Sequence, residues 1–176
     1  MNFDHYTLRP PVADDAQNIY DLITANRPRL IDYFPIAIGA IHSIADTEQY
    51  IKLKTKQAHA KEAITYLIVD DNTNIPIGFT FIKNFDWDIA KAELAYYIDK
   101  HYEGKGIVSK ALQHIITYCF ATLKLKKLYL RTAKDNIGSQ RVALKNGFLL
   151  EGVLRKDFKI ADGTLIDLHY YGLIKD

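Results

Sequence analysis

The sequence predicts a mixed α/β fold, in which an antiparallel meander is followed by a strand–helix–strand–helix unit and a C-terminal hairpin. Three β-type segments separated by short turn clusters lie between residues 63 and 99 and predict the meander. Apolar residues recur every three to four positions over residues 106–123, which predicts a long amphipathic helix. The turn dipeptide Asp162-Gly163 predicts the hairpin. These patterns indicate one mixed sheet with helices on its faces, in a single domain over residues 1–176.

The N-terminal part is expected to contain one strand and two helices. In order, we expect a strand over residues 6–9, a helix over 14–25, an irregular segment over 26–40 and a helix that ends near His59. Acidic residues in the first turn favour the first helix, and Ser43 or Asp46 would cap the second. The five prolines, at positions 10, 11, 28, 35 and 76, are all expected between elements, because proline interrupts the hydrogen bonding of helices and strands.

The remaining elements follow from changes of hydrophobic period and from turn residues. The expected strands span residues 63–69, 75–85, 92–99, 127–133, 148–158 and 165–174. The expected helices span residues 106–123 and 139–146, and Gly147 would follow the C-cap of the second.

The composition restricts the classes of function. The chain has 176 residues, of which 48% are hydrophobic and 25% charged, as is typical of a globular protein. Its 23 basic and 21 acidic residues give a net charge of +2 without a long block of like charge, so we expect neither nucleic acid nor membrane as a partner. We expect a cytoplasmic protein, because no secretory signal pattern and no apolar run of ~20 residues is seen. The single Cys119 excludes an internal disulfide, and six scattered histidines predict no metal site.

The strongest chemical signal is the segment Glu103-Gly104-Lys105-Gly106-Ile107-Val108-Ser109, between a predicted strand and the long helix. Two glycines spaced by one residue let backbone amides approach an anion without a Cβ in the way. The helix that follows directs unsatisfied amides and the positive end of its dipole to the same place. The segment therefore predicts a phosphate-binding loop, with a simple tight turn as the alternative.

Two common nucleotide-binding motifs do not fit this segment. A P-loop requires Gly-Lys-Ser/Thr, whereas Lys105 is followed by Gly106. A dinucleotide fingerprint requires a third glycine where Ser109 stands and an acidic residue about twenty positions later, where Leu123-Lys124-Leu125 lies. Both interpretations are unfavourable, although a nucleotide-binding protein stays as a third hypothesis.

The glycine segment resembles the acyl-CoA pyrophosphate loop of the GNAT N-acetyltransferase superfamily, and the order of elements is similar over nearly the whole chain. A later stretch is similar to the branch that acetylates the N-termini of ribosomal proteins; it comprises Lys134-Asp135-Asn136-Ile137-Gly138-Ser139, then Lys145-Asn146-Gly147-Phe148 and Glu151-Gly152. Two positions depart from the superfamily pattern Gln/Arg-x-x-Gly-x-Gly/Ala, because Glu103 stands first and Val108 stands last.

The resemblance implies acetyl-CoA as cosubstrate and assigns residues to it. Backbone amides from Lys105 to Ser109 would hold the pyrophosphate, splayed parallel strands would admit the pantetheine arm, and an amide near Tyr97 or Ile98 would meet the oxyanion. Asn136 resembles the residue that holds the pantetheine amide, with a helix N-cap as the equal alternative. The implied cofactor-binding residues are Tyr97, Ile98, Glu103, Gly104, Lys105, Gly106, Ile107, Val108, Ser109, Asn136 and Lys145.

Two residues are candidates for proton transfer. Ser139 resembles the group that protonates the leaving thiolate, with a first-turn serine bonded to backbone as the alternative. Glu93 is an isolated acid in the strand before the loop and is our candidate general base. Alternation along that strand leaves open whether Glu93 points inward. A free α-amine (pKa ~8) needs less help from a base than a lysine (pKa ~10.4), which costs about 3 kcal/mol more to deprotonate.

The resemblance implies a primary amine as the acceptor, with a protein N-terminus as the first candidate. Arg29, Tyr33 and Phe34 lie in a segment that resembles the region flanking the acceptor pocket, and Trp87 could wall the same cleft. The alternative for the segment is a connector that covers the sheet edge. The alternative for Trp87 is a loop tryptophan that packs on its own domain. The alternatives for function are acetylation of a small-molecule amine, such as a polyamine, an amino sugar or a metabolite, and a non-catalytic acyl-CoA sensor. A homodimer is left open.

Overall fold

The computed structural model describes residues 1–175, apart from the side chains of residues 36 and 37. The strands are β1 (Asn2–Phe3), β2 (Tyr6–Arg9), β3 (Ile64–Asp70), β4 (Ile75–Asp86), β5 (Lys91–Ile98), β6 (Lys127–Ala133), β7 (Leu149–Lys159) and β8 (Leu165–Ile174). The α-helices are α1 (Ala16–Leu30), α2 (Pro35–Gly39), α3 (Ile44–His59), α4 (Ile107–Ala121) and α5 (Ile137–Lys145). Short 3-10 helices span Ala13–Asp15 and Lys100–Tyr102.

The eight strands form one sheet in the order β1-β2-β3-β4-β5-β6-β8-β7. Neighbours are antiparallel except for β5 and β6, which are parallel. In the described part of the chain, the pairing of β5 with β6 ends at Glu93 and Tyr129, and the strands separate beyond that point. The predicted mixed sheet, the meander and the C-terminal hairpin are thereby confirmed, and the separated strands open a gap in the middle of the sheet.

Each face of the sheet carries its own core. On β4, Ile77 and Ile82 pack with α4, whereas Phe79 and Phe81 pack on the opposite face with α1 and α3. Most of the apolar stripe of α4 is buried, as at Leu112, which is 0% exposed. Each fully buried side chain of this size contributes roughly 1.5–3 kcal/mol. The two cores hold β5 and α4 in fixed relative positions, and the glycine segment lies between these two elements.

The segment over residues 26–40 is more regular than predicted, and three prolines lie inside elements. Helix α1 continues through Pro28 to Leu30, because burial of Leu30, which is 4% exposed, favours one more helical turn over the hydrogen bond that Pro28 cannot make. Pro35 begins α2, where its missing amide has no helical partner in any case. Pro76 is the second residue of β4, beside a register shift at Ile68. The expectation that every proline lies between elements was therefore wrong.

The predicted ends of the other helices are confirmed to within a few residues. The Ser43 hydroxyl accepts from the Asp46 amide at the start of α3. Helix α5 begins at Ile137 rather than Ser139, because Asn136 serves as its N-cap. Gly147 follows α5 with a φ of +82°, as expected of a residue after the C-cap. Strand β1, which has two residues, was not predicted.

Within residues 1–175, no helix has both the length and the apolar character needed to cross a membrane.

Candidate active site

A cleft of about 760 Å³ opens where β5 and β6 separate and where α4 and α5 begin. We call it the large cleft. Ten of the eleven predicted cofactor-binding residues line it: Tyr97, Ile98, Glu103, Gly104, Gly106, Ile107, Val108, Ser109, Asn136 and Lys145. The eleventh, Lys105, directs its ammonium to the ring of Tyr102, 4.9 Å from the centroid.

The glycine segment has the backbone that an anion site requires. Gly104 and Gly106 have φ values of +73° and +76°, and a Cβ at either position would meet nothing within 4 Å. Gly106 is the N-cap of α4 and provides no capping side chain, so the first amides of the helix need another acceptor. The Ser109 hydroxyl accepts from Nδ2 of Asn146 at 3.0 Å, which ties α5 to the start of α4. Open space, free amides and the helix dipole fit a diphosphate.

Arg29, on α1, contacts this segment directly. Its Nη2 donates to the Ile98 carbonyl at 2.6 Å and to Asn26 Oδ1 at 2.9 Å, and its Nη1 donates to the Glu103 carboxylate. We predicted that Arg29 flanks an acceptor pocket, but the structure places it in the wall of the large cleft.

A second cavity of about 110 Å³ adjoins the large cleft, and we call it the small cavity. Five residues line both: Tyr33, Phe34, Tyr96, Asn136 and Ser139. Leu168 and Phe158, from the C-terminal hairpin, form its outer wall. At the hairpin tip, the Ala161 amide donates to Asp32 at 3.3 Å, which joins the hairpin to the segment after α1. The two spaces therefore meet at their five shared residues, and we call this place the junction.

Glu93 points into the small cavity, which alternation alone left open. The residue is 4% exposed, and Oε2 accepts from Asn84 Nδ2 at 2.7 Å and from Arg131 Nη2 at 3.0 Å. Lys83 Nζ lies 3.5 Å from Oε1. Arg131 Nε also donates to Oε1, at 3.4 Å, so each carboxylate oxygen has two partners, and an amine proton or a water would replace one of the two long contacts on Oε1.

Two polar residues at the start of α5, Asn136 and Ser139, meet Tyr96 of β5 at the junction. Asn136 Oδ1 accepts from the Ser139 amide at 3.0 Å, so the capping role is observed, and the Nδ2 group of Asn136 is left for another acceptor. The Tyr96 hydroxyl donates to the Ser139 carbonyl at 3.3 Å. Desolvation by burial raises the pKa of Tyr96 to about 12, so its phenol stays protonated at neutral pH.

Of the other predicted acceptor residues, two lie at the site and one lies elsewhere. Tyr33 and Phe34 line both spaces, and the Phe34 ring packs edge-on against Tyr97 at 5.5 Å. Trp87 stacks on Phe85 at 4.6 Å, outside both spaces, and is 45% exposed.

Three residues of the site were not found from the sequence. Arg131 and Thr132 lie on β6 and line the small cavity, and the buried Thr132 hydroxyl has no hydrogen-bond partner within residues 1–175. Tyr96 directly precedes Tyr97 on the predicted strand and therefore lies on the opposite face, so the alternation of the strand could have indicated it. Arg131 gave no local signal, because its partner Glu93 lies 38 residues earlier.

Comparison with known proteins points in one direction. A family model described as an acetyltransferase (GNAT) domain matches residues 5–149. A Bacillus subtilis (strain 168) protein named "Putative ribosomal N-acetyltransferase YdaF" is 34% identical over 174 residues, which cover 98% of this chain and 92% of that protein.

Two solved structures share the fold over almost the full length. The ribosomal-protein-S5-alanine acetyltransferase from Vibrio fischeri superposes with a TM-score of 0.92 at 25% identity, covering 100% of this chain and 96% of the other. The microcin C7 self-immunity acetyltransferase MccE, solved with acetyl-CoA and AMP, has a TM-score of 0.88 at 25% identity, with 98% and 94% coverage.

Proposed function

The chain belongs to the GNAT family of acetyltransferases, and from that premise we propose that it acetylates the α-amine of a protein N-terminus, of the ribosomal-protein type. GNAT acetyltransferases use acetyl-CoA. The observation that carries the proposal is the junction: a large cleft suited to the donor and a small cavity suited to an amine share Tyr96, Asn136 and Ser139. A cytoplasmic location and a homodimer stay predictions.

The large cleft would hold acetyl-CoA at its diphosphate and along its arm. The amides around Gly104 and Gly106 and the start of α4 would bind the diphosphate. The unpaired edge of β5 would offer backbone groups to the amides of the arm, as an added strand does. When bound, the donor supplies an activated thioester carbonyl at the junction.

The small cavity favours a small amine terminus in its neutral form. About a quarter of α-amines with a pKa near 8 are neutral at pH 7.5. Arg131 and Lys83 both pair with Glu93, so the negative charge of the cavity is offset and does little to hold an ammonium. Glu93 would accept the amine proton, directly or through a water, and the unpartnered Thr132 hydroxyl would bond the acceptor backbone.

The reaction would then be a direct attack of the amine on the thioester, and Ser139 would supply a proton to the departing sulfur. Ser139 lines both spaces, and no described residue makes a hydrogen bond to its hydroxyl. Tyr96 is the second candidate donor, because its protonated hydroxyl lies 3.3 Å from the Ser139 carbonyl. An amide near Tyr97 or Ile98 would stabilise the oxyanion.

The small cavity, at about 110 Å³, is much smaller than the large cleft, at about 760 Å³, which favours an acceptor whose first side chain is small. We therefore expect peptides that begin with alanine or serine to be acetylated, and peptides that begin with leucine or tryptophan to be poor acceptors.

The test measures thiol release from acetyl-CoA with a panel of amines, and mass spectrometry locates the acetyl group. The panel contains alanine- and serine-starting peptides, the same peptides with blocked N-termini and an internal lysine, spermidine and an amino sugar. Acetylation of the free N-termini supports the proposal. Faster acetylation of spermidine or the amino sugar would replace it with small-molecule acetylation. Binding of CoA without turnover of any amine would indicate a sensor.

A further inference from the structure

We propose that Arg29, on α1, is a donor-binding residue: its guanidinium offsets the charge of Glu103 and adds a fixed cation to the diphosphate site. The inference rests on the proposed use of acetyl-CoA in the large cleft. It goes further because it combines two residues into one electrostatic unit. These are Arg29, which lies outside the glycine segment, and Glu103, which is the first residue of that segment.

The Arg29 guanidinium is held independently of Glu103. Nη2 bonds the Ile98 carbonyl at 2.6 Å and Asn26 Oδ1 at 2.9 Å, and only Nη1 faces the Glu103 carboxylate. The Nε atom is buried and has no partner within residues 1–175. Because two acceptors fix the group, its charge stays at the cleft whether or not Glu103 moves.

Asn26 fixes this arrangement from the buried side. The residue is 3% exposed, and its Nδ2 donates to Asp99 Oδ2 at 2.6 Å and to the Leu22 carbonyl at 2.9 Å. Its Oδ1 also accepts from the Lys100 amide at 3.2 Å. The end of α1 is thereby joined to the connection between β5 and the glycine segment. This connection holds Arg29 next to the predicted diphosphate site.

Glu103 creates the need for a cation at this place. Its carboxylate lines the large cleft directly before Gly104, so without a counter-charge it would repel a diphosphate bound at the glycine segment. Two basic residues of α5, Arg141 and Lys145, line the cleft from its other side, and the Lys105 ammonium lies over the ring of Tyr102 at the cleft wall. Arg29 also lines the cleft and contacts Glu103 directly, so it is placed both to neutralise the carboxylate and to attract the phosphates.

Arg29 is also separated from the acceptor. It lines the large cleft and not the small cavity, whereas Tyr33 and Phe34, one turn further along the chain, line both. The proposal thus assigns a donor role to Arg29 and leaves the acceptor role to Tyr33 and Phe34.

Charge-swapping variants and CoA titration calorimetry test the proposal. Arg29→Gln leaves Glu103 unopposed, and we expect the Kd for CoA to rise about tenfold, as for a lost charge-assisted bond. Glu103→Gln leaves Arg29 free for the phosphates, and we expect the Kd to fall about threefold. The double variant should lie between the two. Arg155→Gln, at an exposed position outside both spaces, controls for the loss of one positive charge and should leave the Kd unchanged.

A structural role for the pair predicts a different result. Loss of a purely structural contact would weaken CoA binding in both single variants, so weaker binding by Glu103→Gln would overturn the proposal. Glu103 is half-exposed, so this variant is expected to fold, which circular dichroism verifies. Acetyl-pantetheine, which lacks the diphosphate, provides a second readout: kcat/KM with this donor should be the same in wild type and Arg29→Gln. An equal loss with both donors would also overturn the proposal.

The same titration separates this inference from the proposed function. A wild-type protein that does not bind CoA would refute the donor assignment as a whole. A wild-type protein that binds CoA, with Arg29→Gln binding equally well, would refute the role of Arg29 alone.

Discussion

Glu93 on β5 and Arg131 on β6 form an ion pair at the point where the two parallel strands separate, with 3.0 Å between Oε2 and Nη2. The Glu93 side chain is 5% exposed and the Arg131 side chain 25%. Asp157 of the C-terminal hairpin accepts from Nη1 of the same guanidinium at 2.8 Å. The guanidinium thus joins the inner wall of the small cavity to the hairpin, and its two carboxylate partners can be changed separately.

Glu93→Gln removes the buried negative charge with little change of shape. We expect kcat with an N-terminal acceptor to fall about 100-fold, in the range of a lost general base. The Kd for CoA should not change, because Glu93 lines the small cavity and not the large cleft. Arg131 keeps Asp157, so the loss in free energy of unfolding should be about 1–2 kcal/mol. Steady-state kinetics, calorimetry and denaturant unfolding measure the three quantities.

Asp157→Asn is the matched control for Glu93, because it removes the other carboxylate of the same guanidinium. We expect kcat to be nearly unchanged. If Asp157→Asn lowered kcat as much as Glu93→Gln, the common effect would be misplacement of Arg131, and Glu93 would not be the base.

Features set by local sequence could be predicted, whereas those set by distant contacts could not. The glycine segment and the hairpin at Gly163 follow from residues that tolerate positive φ. The partner of Glu93 is 38 residues away and that of Glu103 is 74 residues away. Such pairs depend on how β6 and α1 pack, which no local pattern encodes.

Helix α1 shows the same contrast between local sequence signals and distant contacts within one element. Pro28 is a local signal against a helix, and it predicts an end near residue 25. The helix nevertheless reaches Leu30, because Leu30 is buried and because Arg27 donates to the Ile38 carbonyl at 2.6 Å. Tertiary contacts therefore place Arg29 on a helix, where its direction is fixed, rather than in an irregular connection.

Ser139→Ala and Tyr96→Phe distinguish the two candidate proton donors. We expect Ser139→Ala to lower kcat at least about tenfold, as for a lost general acid, and Tyr96→Phe to lower it by much less. Tyr96→Phe loses one hydrogen bond to the Ser139 carbonyl, which should cost about 1 kcal/mol of stability. Single-turnover kinetics measure the chemical step. The reverse order of effects would assign the proton transfer to Tyr96.

Two substitutions of Asn136 separate its capping role from the proposed contact with the pantetheine arm. Serine is an equally good N-cap but lacks the amide donor, whereas alanine lacks both. We expect Asn136→Ala to lose about 1 kcal/mol of stability and Asn136→Ser to lose almost none. Both should raise the KM for acetyl-CoA if the Nδ2 group binds the arm. A normal KM for Asn136→Ser would show that the residue is a cap only.

Gly106→Ala and Gly163→Ala each place a residue with a Cβ in the left-handed region of φ, one in the glycine segment and one in the C-terminal hairpin. Their φ values are +76° and +91°, and an added Cβ meets nothing within 4 Å at either position. Each variant should lose about 1–2 kcal/mol through strain in the left-handed region. Only Gly106→Ala places a methyl group in the large cleft, so only that variant should bind CoA at least about tenfold more weakly. Equal CoA affinity in the two variants, by calorimetry, would contradict a diphosphate site at Gly106.

Because the pKa of Tyr96 is raised in the folded state, the free energy of unfolding should decrease at alkaline pH. Burial raises this pKa from its ordinary value of 10.0 to about 12, so the folded state retains a proton that the unfolded chain releases. The stabilisation is therefore complete below pH 10 and is lost as the pH rises from 10 to 12. At pH 11 the loss from Tyr96 should be on the order of 1 kcal/mol. Denaturant unfolding at pH 8.5 and 11 should show that Tyr96→Phe loses less stability than wild type by this amount. If both proteins lose the same free energy, the phenol is not desolvated, and the burial of Tyr96 at the junction would be refuted.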